Sequence, residues 1–220
     1  MPEFDKEPNK IQSRQDLLSF YRWHSGKKSI SKNRQLWSLC SDQTRRPLSE
    51  INQFTSEGLI TKEQYWGVDK SENKIKRNQK KHPEANWLFG DWETTVLAHS
   101  KEFNPEIVFL DFTSMANTNL ILSATNQTMR LCSAGTYLFV NVMLNNPRDP
   151  SVFLTEETFP IALAETLDDN TFRGWKVFYG RDIDEKLIPY RSLPKNGVLC
   201  YPYNCTSYTM MTMYPFYKEV

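Results

Sequence analysis

The chain has 220 residues, with only 8 Gly and 12 Pro, which excludes collagen-like and low-complexity architectures. Aromatic residues make up 13% of it, more than a disordered chain carries, so a packed core is expected. The net charge of +1 hides an asymmetry: residues 1–82 hold 17 basic against 10 acidic side chains (+7), and residues 83–220 hold 10 against 16 (−6).

No apolar run approaches the roughly 18 residues of a membrane-spanning helix. The first twelve residues are polar and charged, unlike a secretory leader. The expectation is a cytoplasmic globular protein with no membrane partner. A basic half is one signature of nucleic-acid contact, and also of lysine-rich solvated helix faces. Cys40, Cys132, Cys200 and Cys205 show no C-x-x-C spacing, and His24, His82 and His99 are scattered. No metal site is therefore expected, and buried free thiols are the reading for the cysteines. No heptad or apolar interface stripe points to an oligomer.

In chain order, Leu17, Leu18 and Tyr21 predict a helix over Ser13–His24, stopped by Gly26. A basic connector follows (residues 26–34). Residues 1–34 are read as a helical and basic segment packed on a single domain spanning 35–220. Strands are predicted at Leu36–Cys40, Gln64–Val68, Asn86–Phe89, Pro105–Asp111 and Thr136–Leu144. Helices are predicted between them: Pro47–Glu57, with Pro at its start and Gly58 past its end, Ser71–Lys81 capped by Ser71, Glu93–Glu102 and Asn119–Ser133. A further helix is expected over Glu157–Leu167. After residue 170 the pattern becomes strands alone, at Trp175–Tyr179, Leu187–Arg191, Val198–Tyr203 and Tyr208–Phe216. Asn204–Ser207 is the turn expected to join the last two as a hairpin. Strand alternating with helix predicts an α/β fold, a parallel sheet covered on both faces, ending in antiparallel strands.

In such sheets ligands bind outside the carboxyl ends of the strands. The residues there are Cys40, Ser41, Asp42 and Gln43 around the end of the first strand, Asp69 after the second, Asp91 and Trp92 after the third, and Asp111, Phe112, Thr113 and Ser114 around the end of the fourth. A carboxylate in this position can accept hydrogen bonds from ribose hydroxyls or an exocyclic amine, although Asp is also a favoured turn and cap residue. Arg45 and Arg46 stand where the first crossover helix begins, and solvated guanidinium groups are the reading for both. Asp182, Asp184 and Glu185 are read as solvated loop residues. No G-x-G-x-x-G fingerprint is present.

The sequence Gly67-Val68-Asp69, the stretch Asn86-Trp87-Leu88-Phe89-Gly90-Asp91-Trp92 and the strand Ile107-Val108-Phe109-Leu110-Asp111 resemble the class I S-adenosylmethionine-dependent methyltransferases in order and spacing. The resemblance covers roughly Trp37 to Phe216. It implies a three-layer αβα, Rossmann-like methyltransferase fold with a C-terminal antiparallel hairpin. It further implies S-adenosylmethionine as cofactor, Asp69 on its ribose, Asp91 on its adenine amino group and Trp92 stacked on the adenine ring. Cys40, Ser41 and Asp42 would form the first cofactor loop. Asp111 would orient an acceptor amine or take its proton, and Thr113 or Ser114 would hold the acceptor. Two features depart from the family: the first loop, residues 38–46, contains no glycine, and no Asn/Asp-Pro-Pro-Tyr/Phe motif follows the fourth strand. Two functions follow: a methyltransferase, with a nucleic acid the preferred acceptor through the basic half, or a catalytically inactive scaffold of the same fold.

Overall fold

The computed structural model describes residues 8–40, 42–44, 49–112, 118–143, 174–177, 199–203 and 209–220. The elements in chain order are α1 (Pro8–Ser25), β1 (Gln35–Leu39), α2 (Glu50–Ser56), β2 (Tyr65–Asp69), α3 (Glu72–Lys81), β3 (Asn86–Phe89), α4 (Trp92–Ala98), β4 (Pro105–Asp111), α5 (Thr118–Leu131), β5 (Tyr137–Met143), β6 (Trp175–Val177), β7 (Leu199–Tyr203) and β8 (Thr209–Lys218). The strand order is β3-β2-β1-β4-β5-β8-β6, with β7 also on β8. Two compact units divide the chain, Met1–Phe109 and Leu110–Val220.

In the first unit β1 pairs in parallel with both β2 and β4, and β2 with β3. Successive strand residues face opposite sides of a sheet. Leu36, Trp37 and Ser38 are all buried, as are Pro105 through Leu110, so both faces of this sheet are covered. Trp37 is fully buried, stacked on Trp66 at 4.7 Å between ring centroids and meeting Phe103 edge-on at 4.8 Å. In the second unit β8 is the organising strand. It pairs antiparallel with β5 over seven residues, and with β6 and β7. The parallel-then-antiparallel change expected near residue 170 is thus present.

Most predicted elements recur with shifted ends. α1 begins at Pro8, five residues before the predicted start, because proline is tolerated in a first turn where its missing N–H costs nothing. α4 stops at Ala98 and not Glu102; single-turn bonds from Glu102 and Phe103 N–H to the His99 carbonyl finish the segment. Ser71 occupies the N-cap of α3, but its hydroxyl makes no capping bond. The predicted starts at residues 47 and 157, the strand at 187–191 and the turn at 204–207 lie outside the described residues, as do Arg45, Arg46, Asp182, Asp184 and Glu185. Cys40 and Cys132 are buried free thiols. Among the described residues, no helix is long and apolar enough to cross a membrane.

The N-terminal segment is tied to the sheet by a buried carboxylate on β4. Glu106 Oε1 accepts the Tyr21 hydroxyl at 2.6 Å and Lys27 Nζ at 2.8 Å, and Oε2 accepts the Ser31 N–H at 2.8 Å. Burial opposes the charge, but the bonds from Lys27, Tyr21 and Ser31 outweigh it and hold the carboxyl below its ordinary value of 4.5. A carboxyl depressed by folding stabilises the protein above its unfolded pKa, and that contribution disappears as pH falls through the folded value. The urea midpoint is therefore expected to fall with acidification from pH 4.5 downward, with a shallower fall in Glu106→Gln. Equal slopes in the two proteins would show that this carboxylate does not anchor the segment.

Candidate functional site at the carboxyl ends of the parallel strands

The residues after β1 would normally need glycine to turn sharply beneath a ligand. Here α3 supplies the conformation instead. The Gln43 N–H donates to Asn78 Oδ1 at 2.7 Å, and the Gln43 carbonyl sits 3.0 Å from His82 Nε2. The Gln43 side-chain carbonyl accepts the Ile51 N–H at 3.1 Å, satisfying one of the free donors in the first turn of α2. Gln43 and Asn78 are both fully buried. Asp42 accepts Thr44 N–H at 3.1 Å and Thr44 Oγ1 at 2.6 Å, closing a local turn, and pairs with Arg77 at 2.8 Å. Burial raises the Asp42 pKa, but the Thr44 bonds and Arg77 prevail and the net shift is downward. Asn78 Nδ2 also reaches Cys40 Sγ at 3.9 Å. Desolvation, with Asp69 and Glu50 nearby, pushes the Cys40 thiol well above its usual range, so it is a neutral packing group and not a nucleophile.

Asp69 ends β2 with its side chain 9% exposed. Oδ1 accepts the Ser71 N–H at 2.7 Å, closing a tight turn just before α3, and Oδ2 pairs with Lys74 at 3.0 Å. Each oxygen keeps a second lone pair. Asp69 lies in register with Phe89, the last residue of β3, whose side chain is 60% exposed. Gly90 follows with φ +147°, a conformation reserved for glycine, and its missing Cβ would lie 2.5 Å from Thr95 Oγ1. Asp91 then occupies the N-cap of α4, exposed and without a side-chain capping bond. Among the described residues nothing pairs with its carboxylate.

The other predicted residues are placed differently. Trp92 is 4% exposed and meets Trp37 edge-on at 6.5 Å, so its ring belongs to the core. Asp111 belongs to the second unit, half-buried, with Asn141 Nδ2 3.3 Å from its Oδ1. Ser41, Thr113 and Ser114 lie outside the described residues. Sequence reasoning placed Gln43 just past the first strand but missed its anchorage by Asn78 and His82, because a loop held by side chains 35 and 39 residues further on leaves no local pattern. Phe89 was legible only as a strand residue; its exposure follows from lying at the end of the edge strand.

The chain has the fold of the class I methyltransferases, as comparison with solved structures shows. It is similar to the plantazolicin methyltransferase BamL, solved with a triazolic desmethylPZN analog and SAH, at 14% identity and a TM-score of 0.60 over 95% of this chain and 84% of that one. A putative rRNA-methylase from Clostridium thermocellum matches at 9% identity and 0.52, covering 97% and 98%. An rRNA methylase from Streptococcus thermophilus matches at 11% and 0.50, covering 98% and 99%. No family model and no curated protein sequence matches the chain.

Two substitutions test how this end of the sheet is held. A Cβ on Gly67 would lie 2.6 Å from the Trp87 ring and 3.0 Å from Cys40 Sγ. Gly67→Ala is expected to cost about 1–3 kcal/mol by overpacking, read as a lower urea midpoint at unchanged m-value. Asn78→Ala strips the buried Gln43 N–H of its acceptor. It is expected to cost about 1–3 kcal/mol and to speed hydrogen exchange at Gln43. Unchanged exchange there would show that the loop is held by something other than α3.

Proposed function

We propose that the protein binds S-adenosylmethionine at the carboxyl ends of β1 to β3 and transfers its methyl group to an acceptor. The observation that carries this reading is the grouping at the ends of β2 and β3 on a methyltransferase fold. Asp69 is a fixed carboxylate with lone pairs to spare, Phe89 is an exposed ring in register with it, and Asp91 is a carboxylate with no partner among the described residues. These residues fit a nucleoside: two acceptors for hydroxyl and amino hydrogens, and an apolar face for a base. Asp69 would hold the ribose hydroxyls and Asp91 the adenine amino group. Phe89, and not the buried Trp92, would stack on the base. Cys40, Ser41 and Asp42 would border the cofactor on the side of the first loop.

Bound there, the cofactor would supply a methyl group on a sulfonium, open to in-line displacement. The protein's part is alignment and exclusion of water. Asp111, steadied by the Asn141 amide, would orient an acceptor amine and take its proton, with Thr113 and Ser114 holding the acceptor. No covalent enzyme nucleophile is needed, consistent with a neutral, buried Cys40.

A second reading, an inactive scaffold of the same fold, draws support from the first loop and from Lys74. The loop has no glycine, and Lys74 already neutralises the carboxylate assigned to the ribose. Calorimetric titration with S-adenosylmethionine and its demethylated product separates the two. The methyltransferase reading expects a micromolar constant that Asp69→Ala and Asp91→Ala each weaken about tenfold, or about 1.4 kcal/mol. Absence of heat up to about 1 mM, a free energy of about −4 kcal/mol, would establish the scaffold instead.

A further inference from the structure

Helix α3 has two faces of different character. Ile75 and Asn78 on one side are buried, and it is this side that holds Gln43. On the other side Asn73, Lys76, Arg77, Lys80 and Lys81 are exposed, and Lys70 is exposed just before the helix begins. Four cations thus share one solvent face, with Lys70 just ahead of it and a single exposed helix carboxylate, Glu72, which pairs with Lys76 at 2.9 Å. Arg77 leans on Asp42 of the first loop. Among the described residues Lys70, Lys80 and Lys81 make no ion pair.

That arrangement works against the helix as an isolated element. Lys76 and Lys80, and Arg77 and Lys81, are like charges four residues apart, a spacing that brings them together on the helix surface and makes them repel. Lys80 and Lys81 lie in the last turn, where the carbonyl end of the helix favours cations. Lys76 and Arg77 lie one turn earlier and gain nothing from it. A bound polyanion relieves all of these repulsions at once. The rows advance by about 6 Å per four residues, so the ridge offers a line of charge rather than a single pocket. A line of phosphates matches it better than a compact anion does.

We propose that the outer face of α3 is a docking ridge for the phosphate backbone of a nucleic acid, which names the acceptor class of the proposed methyl transfer and rests on that reading for its purpose. The placement favours it, because the helix that carries the cations also fixes the first loop and follows directly on Asp69. A strand lying along α3 therefore has one end at Asp69.

The test is fluorescence anisotropy of the full chain with labelled single-stranded and duplex oligonucleotides of about 20 nucleotides, without cofactor, from about 50 to 200 mM salt. Binding is expected with a log–log salt slope of about −3 to −5, as for four or five neutralised phosphates. Replacing Lys70, Lys76, Lys80 and Lys81 together by Ala is expected to weaken it at least tenfold at about 50 mM salt and to flatten the slope by about 3. The matching Lys→Arg protein is expected to bind normally. Should the quadruple variant lose its far-UV circular dichroism, Lys80→Ala with Lys81→Ala replaces it, with a slope flattened by about 1 to 2. No binding at about 50 mM salt, or binding that these variants leave untouched, overturns the proposal. So does preferential capture by phosphatidylserine vesicles through the same lysines. Cofactor titration is a separate measurement, so nucleic-acid binding without cofactor binding would overturn the methyltransferase reading and leave the ridge intact.

Discussion

Gln43 is held from three sides: its N–H by Asn78, its carbonyl by His82, and its side-chain oxygen by the first turn of α2. Everything at the carboxyl end of β1 depends on that anchorage. A loop without glycine cannot adopt left-handed turns cheaply, so its path is set by partners on α3. The consequence reaches both neighbours. Asp42, displayed one residue earlier, meets Arg77, and the start of α2 receives an acceptor that its own N-cap, Ser49, does not supply. Gln43 is thus bonded to both α2 and the α3 segment.

Glycine is spent elsewhere, where contact demands it. Gly67 lets the Trp87 ring lie against β2 and lets Cys40 close in from the other neighbouring strand. Gly90 turns the chain at the end of β3 so that Asp91 can open α4 with its carboxylate in solvent. These two positions shape the ends of β2 and β3. The design replaces backbone flexibility at one point with side-chain fixation and retains it at two others.

Charge is organised on the same elements. Asp42 and Asp69 each pair with a cation from α3, Arg77 and Lys74. The remaining cations of α3 face outward. One helix thereby holds Gln43, pairs with Asp42 and Asp69, and presents a basic surface. Part of the positive charge of the N-terminal 82 residues is gathered there, whereas Lys27 reaches from solvent to the buried Glu106.

Local patterning alone was enough to reveal the α/β alternation, the strands ending at Asp69 and Asp111, and the antiparallel finish after residue 170. Apolar runs of five to seven residues, Pro and Gly punctuation and helical spacing are all short-range signals, and they were read without knowing any partner. The acids at strand ends were legible for the same reason. What only the tertiary structure decided is which side chain faces where. Trp92 and Phe89 are both aromatic residues near the end of β3, and nothing local separates them. Packing against Trp37 takes the first into the core, and the edge position of β3 leaves the second in solvent. The glycine-free loop was visible as a departure, but its remedy was not. Two of the bonds that hold it join residues 35 and 39 positions apart, and such bonds exist only once the strands have paired and α3 lies against them.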